Sequence, residues 1–290
     1  MKCTLCPRSC GAERDGKTGA GFCRMPAGLR VARAALHHWE EPPISGKNGA
    51  GTVFFSGCTL RCSYCQNGDI SAGGQGRDIT PERLREIYFE LLGQGAHNIE
   101  LVTPTHFLPW ILPSLEPKLP VPVVYNCGGY EKVETLRLLE GKVDVWLPDL
   151  KYSDGALARE LSGAEDYFPV ACDAIREMFR QSGRPVYDGN GLMRRGVIVR
   201  HLVLPGYLDN TRRVLDWLAE TFAPGDVAVS LMSQYTPPPH MTGRLARRVT
   251  AAEYRAAVAY MRNCGIEDGF VQERTSAEEA YTPAFDGTGV

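Results

Sequence analysis

Three cysteines, Cys58, Cys62 and Cys65, lie close together with the spacing C-x3-C-x2-C. Cysteine thiolate is the usual ligand of a [4Fe-4S] cluster, which has four iron corners. Three thiolates leave one corner open to a substrate, whereas an electron-carrying cluster normally uses four. A zinc site would need further remote ligands, because zinc sites prefer paired C-x2-C units. The spacing therefore predicts a catalytic cluster with one open iron.

An iron corner without a protein ligand can chelate the amino and carboxylate groups of S-adenosylmethionine (SAM). An electron from the reduced cluster would then break the bond between sulfur and C5′, and the resulting 5′-deoxyadenosyl radical would remove a hydrogen atom from a substrate. In such a reaction the cofactors carry the difficult chemistry, while the protein supplies position and excludes water. Tyr64 and Asn67 are candidate cofactor-binding residues, and Tyr64 is placed to pack against adenine.

Four further cysteines near the N-terminus, Cys3, Cys6, Cys10 and Cys23, have the spacing C-x2-C-x3-C-x12-C. Four thiolates complete a metal site. Zinc would stabilise a segment too small for its own core, and a second [4Fe-4S] cluster would relay electrons or anchor a substrate. Free or redox-active thiols are the third alternative. We expect residues 1–50 to form a Cys-rich accessory segment held by metal rather than by a core.

The composition is that of a globular protein, with 290 residues of which 43% are hydrophobic and 23% charged. This length suits one large unit with a substantial core. The net charge of −2 excludes a global positive field for nucleic acid or an anionic membrane. No run approaches the roughly 20 apolar residues that cross a bilayer, so we expect no membrane association and a cytoplasmic location. In that compartment clustered cysteines bind metal more often than they form disulfides.

Short β-rich runs alternate with amphipathic helical stretches after residue 50. Helices are predicted to begin at Thr80, which is followed by proline, and at Thr250, which can form a capping box with Glu253. This alternation predicts an α/β protein whose residues 51–290 form a parallel barrel, complete or partial, with a C-terminal extension. The predicted strands are residues 52–55, 99–103, 121–125, 143–147, 197–204, 227–232 and 270–272.

The predicted strands end in polar residues. In a parallel barrel the chemistry lies where the strands end, so these residues are expected to face one mouth. They are Thr103, Thr105 and His106 after the second strand, Asn126 after the third, Asp149 and Lys151 after the fourth, and Ser233 and Gln234 after the sixth.

The loop that contains Cys58, Cys62 and Cys65, which we call the cluster loop, and the order of the motifs that follow it resemble the radical SAM superfamily. Within the superfamily they resemble the group similar to pyruvate formate-lyase activating enzyme. The resemblance covers roughly residues 50–235. It implies a partial parallel (β/α)6 barrel with the cluster loop after the first barrel strand. The family's Gly-Gly-Glu-Pro motif, which binds the SAM amino group, corresponds to residues 102–106. Thr103 and Thr105 offer oxygen atoms there and Pro104 keeps the turn, but the acid of the motif is absent.

Two other motifs match the family more closely. Its Asp-Leu-Lys motif appears at Asp149 and Lys151, and its arginine before a Val-Pro-Gly strand end appears at Arg200, followed by His201. The resemblance implies SAM-facing roles for Asp149, Lys151 and Arg200, and it leaves Asn126 as the polar contact of the third strand. A cation near the SAM carboxylate is electrostatically favourable. From the residues alone, an ion pair at a strand end is the alternative role for Asp149 and Lys151. His201 is either a catalyst or a hydrogen-bonded barrel residue.

The resemblance implies hydrogen abstraction from a glycine of a partner protein, with SAM and a low-potential electron donor such as flavodoxin or ferredoxin. A small metabolite or an RNA is the alternative substrate. Outside radical enzymes, the alternatives are an iron-sulfur electron carrier and a zinc-stabilised binding protein. A partner protein needs an open barrel mouth and a small substrate needs a closed one, for which residues 235–240 or 1–50 are the expected covers.

Overall fold

The computed structural model describes residues 2–16, 19–271 and 283–290, and the elements below are those of this part of the chain. Its strands are β1 Leu29–His37, β2 Ala50–Phe55, β3 Arg77–Ile79, β4 Ile99–Val102, β5 Val123–Cys127, β6 Val145–Pro148, β7 Val186–Tyr187, β8 Met193–Leu202, β9 Ala228–Met232 and β10 Gly269–Val271. Its α-helices are α1 Pro42–Ser45, α2 Gly68–Ser71, α3 Pro81–Gly93, α4 Leu108–Ser114, α5 Val133–Arg137, α6 Gly155–Ser162, α7 Tyr167–Ser182, α8 Leu208–Thr221 and α9 Ala251–Asn263. None of these helices combines the length and apolar character needed to span a bilayer.

One sheet contains all the described strands, in the order β10-β9-β8-β6-β5-β4-β2-β1-β3, with β7 paired to β8. Strands β2, β4, β5, β6, β8 and β9 are parallel neighbours, and β10 adds a parallel strand beside β9. A helix lies in each connection between successive parallel strands. The predicted partial parallel α/β barrel is therefore confirmed. Gln272, the last residue of the seventh predicted strand, lies outside the described residues.

The two helix starts predicted from sequence are confirmed. Thr80 Oγ1 accepts a hydrogen bond from Arg83 N at 3.2 Å, and Pro81 begins α3. Thr250 and Glu253 form a reciprocal capping box at the start of α9. Each cap satisfies backbone groups that a helix start leaves unpaired, typically worth about 1 kcal/mol. Helix α3 then buries one face, formed by Leu84, Ile87, Tyr88 and Leu91.

Strand β1 is an element that the sequence analysis does not identify. It runs antiparallel to β2, with His37 opposite Ala50, and so belongs to the main sheet. The chain then passes across the amino ends of the parallel strands. Ile44 in α1 packs there with Val124, Val145, Ala228 and other residues near the strand starts. We call residues 38–46 the floor segment, because they close the end of the barrel opposite the cluster loop.

The last described residues, 283–290, return to β1. Ala34 N donates a hydrogen bond to Thr288 O at 2.9 Å, and Gly287 N donates one to Ala32 O at 3.0 Å. The Phe285 ring packs edge-on against Phe54, with the ring centroids 5.5 Å apart. The C-terminal extension therefore covers part of the sheet next to the first barrel strand.

Candidate functional site

The cluster loop, residues 56–67, connects β2 to α2 at the carboxyl end of the barrel. Gly57 has φ +79°, and a Cβ at this position would lie 2.3 Å from Met25 Cγ. Glycine is therefore required both for the backbone conformation and for the close approach of the N-terminal segment. Arg61 has φ +50°, a left-handed conformation that is uncommon outside glycine. The loop is tightly turned and directly packed against the chain that precedes β1.

The thiols of Cys58, Cys62 and Cys65 line one cavity of about 260 Å³. Cys58 Sγ accepts a hydrogen bond from Leu60 N at 3.3 Å, and Cys62 Sγ accepts one from Ser162 Oγ at 3.0 Å. Burial raises the pKa of Cys58 to about 12, so the thiol stays protonated until a metal replaces its proton. Three sulfur donors that line one cavity, two of them receiving hydrogen bonds, fit the ligand set of an iron-sulfur cluster.

Tyr64 and Asn67 line the same cavity. Tyr152 donates a hydrogen bond to the Tyr64 hydroxyl at 2.8 Å, and the Tyr152 oxygen lies 2.7 Å from Ser162 Oγ. Because Ser162 also bonds Cys62, a chain of hydroxyl groups links the cluster loop to the end of α6. Asn67 stands at the start of α2 without a side-chain cap bond to that helix.

Arg200 is the centre of a buried polar network inside the barrel. Its Nε donates to Asp149 Oδ1 at 2.8 Å, its Nη1 to Glu40 Oε2 at 3.0 Å, and its Nη2 to Asn126 Oδ1 at 2.5 Å. Burial alone would raise the pKa of Asp149, but Arg200 and Lys151 hold that pKa below its usual value. The guanidinium therefore joins three strands and the floor segment, and it keeps Asp149 ionised.

Lys151 pairs with the second oxygen of Asp149, with Nζ 2.5 Å from Oδ2. Its backbone N donates to the Tyr167 hydroxyl at 2.9 Å, and that hydroxyl donates to Asp149 O at 2.7 Å. Lys151, Asp149, Arg200 and Asn126 all line the cavity that the three cysteines face. The structure thus brings three strand-end residues from the sequence analysis, Asn126, Asp149 and Lys151, together with Arg200 and the cluster loop.

Thr103 lines this cavity, whereas Thr105 and His201 do not. Thr103 has φ +58°, which is a rare conformation for a β-branched residue and marks local strain. Thr105 Oγ1 instead donates to Glu131 at 2.8 Å. Both ring nitrogens of the buried His201 have partners, Leu150 O at 2.6 Å and Thr211 Oγ1 at 3.0 Å. His201 is therefore placed as a hydrogen-bonded barrel residue, one of the two interpretations its sequence position allowed.

Three acids that the sequence analysis did not single out lie in or below the cavity. Glu40 and Glu41, from the floor segment, line it. Glu100, in β4, is fully buried and accepts hydrogen bonds from Thr52 at 2.6 Å and Asn126 at 2.7 Å. The only available sequence signal was the acidic pair before Pro42, because Glu100 lies within an otherwise apolar strand.

We expect Glu100→Gln to stabilise the protein at alkaline pH. Burial raises the pKa of Glu100 to about 8, from an ordinary value of 4.5. Between these values the unfolded chain has lost the proton that the folded chain keeps, so this residue lowers stability as the pH rises from about 4.5 to about 8. With about 1.4 kcal/mol for each pH unit of separation, the gain above pH 8 is on the order of 5 kcal/mol.

Urea unfolding at several pH values measures this effect. The variant and the wild type should have similar stability near pH 4.5 and diverge as the pH rises. Thr52 can accept from the glutamine amide because a hydroxyl both donates and accepts. A difference between the two proteins that is the same at every pH would contradict the raised pKa.

The N-terminal cysteines lie beside the cluster loop. Cys3 and Cys6 are buried and Cys10 is exposed. Arg8 joins this segment to the loop by donating to Thr59 O at 2.9 Å. Burial raises the pKa of Cys6 to about 12, and the nearby sulfurs of Cys3 and Cys23 contribute to the rise. Within the described ranges, no group of three His, Cys, Asp or Glu side chains lies close enough together to hold a single metal ion. An iron-sulfur cluster does not need such a group, because each thiolate binds a separate iron corner.

Residues 235–240 cover the cluster loop from the other side. His240 Nε2 lies 2.8 Å from Ser63 O, and Gln66 Nε2 donates to Gln234 O at 3.2 Å. Tyr235 is buried and its ring packs against Tyr64, with the centroids 5.9 Å apart. The cavity is thus bordered at the floor by residues of the floor segment and covered at the loop by this proline-rich stretch.

Comparisons with known proteins identify the fold. Residues 44–103, which contain β2, the cluster loop and β4, match the family described as a 4Fe-4S single cluster domain. Among solved structures, methylornithine synthase PylB superposes with a TM-score of 0.51 and 16% identity, covering 83% of this chain and 72% of that chain. The FeFe-hydrogenase maturase HydG from Carboxydothermus hydrogenoformans gives a TM-score of 0.52 and 14% identity, covering 80% and 55%. The chain has the radical SAM fold.

The Streptococcus suis protein SuiB, solved with bound S-adenosylmethionine, shares this radical SAM fold, with a TM-score of 0.51 and 14% identity over 75% of this chain. This chain spans about half the length of SuiB, 48%. A sequence relative, the uncharacterized protein MJ0674 of Methanocaldococcus jannaschii, is 30% identical over 246 residues, which are 81% of this chain and 66% of MJ0674.

Proposed function

We propose that this protein is a radical SAM enzyme in which Cys58, Cys62 and Cys65 hold a [4Fe-4S] cluster. The observation that carries the proposal is that these three thiols line one cavity together with Asp149 and Lys151. When bound, the cluster and SAM would supply reductive cleavage of SAM to a 5′-deoxyadenosyl radical that abstracts hydrogen from a substrate. The chain's own residues position the reactants and keep water away from them.

Lys151 is the residue we propose for the SAM carboxylate. An ammonium group has three donors, and Lys151 gives one of them to Asp149. Arg200, the other cation expected to face SAM, uses its Nε and both terminal nitrogens on Asp149, Glu40 and Asn126. We therefore propose that Lys151 contacts SAM directly and that Arg200 positions the strand-end residues around it. Tyr64, on the wall beside the loop, is the proposed contact for adenine.

The substrate is the finer part of the proposal. The family resemblance implies a glycine of a partner protein, whereas the covered cavity favours a small molecule. A protein loop would have to displace residues 235–240 from their contact with the cluster loop. We propose a small metabolite as the substrate class, with a partner protein as the second candidate.

Reconstituted protein, kept anaerobic with a low-potential reductant, is expected to convert SAM to methionine and 5′-deoxyadenosine. Omission of the reductant is the control, and absence of both products in its presence would overturn the proposed function. A low-molecular-weight fraction of cell extract should stimulate the cleavage more than the macromolecular fraction does. Stimulation by the macromolecular fraction alone would instead support activation of a partner protein.

We propose that Cys3, Cys6, Cys10 and Cys23 bind a second metal centre, in an accessory segment that ends before β1. A variant with alanine at the three cluster-loop cysteines should retain either about one zinc or about four irons per chain, depending on which centre is present. Elemental analysis after anaerobic purification distinguishes the two. A matched variant that also replaces Cys6 and Cys23 should lose this metal. Absence of both metals from the first variant would favour free thiols.

A further inference from the structure

The floor of the cavity carries an acidic side chain with one unpartnered oxygen. Glu41 is only 7% exposed and lines the cavity. Its Oε2 has no hydrogen-bond partner among the described residues. Its neighbour Glu40 is held differently, because its Oε2 accepts from Arg200 at 3.0 Å. A buried carboxylate oxygen without a donor is costly, and such a position is normally completed by a ligand or a counter-ion.

Two of the three acids on the cavity wall are ion-paired, and the third, Glu41, is not. The charged side chains on that wall are the acids Glu40, Glu41 and Asp149 and the cations Lys151 and Arg200. His37, also on the wall, does not supply a third cation at neutral pH, because burial lowers its pKa to about 4. Both cations are engaged with Asp149, and Arg200 also pairs with Glu40. Glu41 is therefore the one of these three acids without an ion pair, and burial raises its pKa.

We infer that Glu41, with Glu40 beside it, forms a substrate subsite for a cationic group such as a protonated amine. The inference rests on the proposed function and names the substrate class for that site. A protonated amine at Glu41 would donate to the unpartnered oxygen and would favour the ionised form of this buried carboxyl group.

The position of the acids separates this subsite from the proposed SAM contacts. The three cysteines and Lys151 follow the carboxyl ends of β2 and β6, where SAM would bind. Glu40 and Glu41 instead enter the barrel from the floor segment, at the amino ends of the strands. A molecule held at Glu41 would extend toward the loop from below, where a hydrogen atom can be presented to a radical formed at the loop.

Calorimetric titration of reconstituted, SAM-loaded protein without reductant tests the inference. The probes are butylammonium, 1-butanol and butyrate, which have similar size and differ in charge. Butylammonium should bind the wild type at least tenfold more tightly than either other probe. Glu41→Gln should weaken butylammonium binding about ten- to a hundredfold, the size expected for one charge-assisted contact, and leave 1-butanol unaffected.

Two further variants keep the test decisive. Glu41→Asp retains the charge and should retain part of the preference for butylammonium, and Glu160→Gln, in the exposed part of α6, should behave as the wild type. Thermal unfolding shows whether each variant is folded. Equal binding of butylammonium and 1-butanol by the wild type, or unchanged butylammonium binding by Glu41→Gln, would overturn the subsite. Weaker SAM binding with unchanged butylammonium binding would assign Glu41 to SAM and also overturn it.

This measurement does not depend on SAM cleavage, since no reductant is present. Failure of the proposed function would appear as missing cleavage products in the reduced wild type, whatever the probes do. Failure of the subsite would appear in the probe affinities while cleavage continues. The two failures are therefore distinguishable.

Discussion

Replacement of Cys58, Cys62 or Cys65 by alanine is expected to abolish reductive cleavage of SAM. Each thiolate is proposed to ligate one iron corner, and loss of one leaves two protein ligands for a cluster that needs three. The product 5′-deoxyadenosine, measured by liquid chromatography after anaerobic reconstitution, should fall to the level found without reductant. Iron bound by the cluster loop should be lost in the same variants.

Cys172→Ala is the matched control for these substitutions. Cys172 is buried in α7, away from the cavity lining, and carries no proposed ligand role. Its replacement should leave SAM cleavage close to the wild-type level. Wild-type cleavage in any one of the three cluster-loop variants would remove that cysteine from the proposed ligand set.

Arg200→Met is expected to destabilise the protein by about 3–5 kcal/mol, because removal of one member of a buried ion pair leaves its partners uncompensated. The Arg200 side chain is 13% exposed and bonds Asp149 and Glu40. Without it, two buried carboxylates would face each other across the barrel with Lys151 as their nearby cation. The free energy of unfolding in urea measures the loss.

Arg194→Met provides the control on the same strand. Arg194 also makes an ion pair, with Asp188 at 2.9 Å, but its side chain is 47% exposed. An exposed pair of this kind contributes about 0–1 kcal/mol. Equal loss of stability in the two variants would show that the Arg200 network does not stabilise the barrel more than a surface pair does.

The parallel strands could be predicted from sequence because both of their faces are buried. All five residues of β5 are buried, so the strand appears as an apolar run. The predicted strand began at Val121, two residues too early, because Pro122 has no N–H to donate to the ladder, although its carbonyl oxygen accepts from Ile99 N at 3.0 Å. Strand β1 could not be predicted from sequence, since it mixes arginine and alanine with few β-branched residues. Its conformation depends on pairing with β2, a long-range contact.

The site residues that sequence reasoning brought forward are those at the ends of parallel strands. Successive residues in a strand point to opposite faces, so Arg200 reaches the cavity while its neighbour His201 points away from it. Sequence alone does not tell which of the two neighbours faces the cavity, because that depends on how the strand is paired in the sheet. The place of Glu41 in the site could not be predicted from sequence for a different reason. Glu41 enters from the floor segment, and only the folded chain shows that this segment lies beneath the cluster loop.

The unequal exposure of the N-terminal sulfurs has a consequence for the protein in air. Cys10 is exposed, whereas Cys3 and Cys6 are buried. Exposed thiolates are the first to be oxidised, either to sulfenic acid or to a disulfide with another thiol. In chains that have lost the proposed N-terminal metal centre, oxygen should join two molecules through Cys10, because it alone of these three reaches the surface. Thiol reductants would reverse the covalent dimer, and the fraction of dimer would increase with the time that a preparation spends in air.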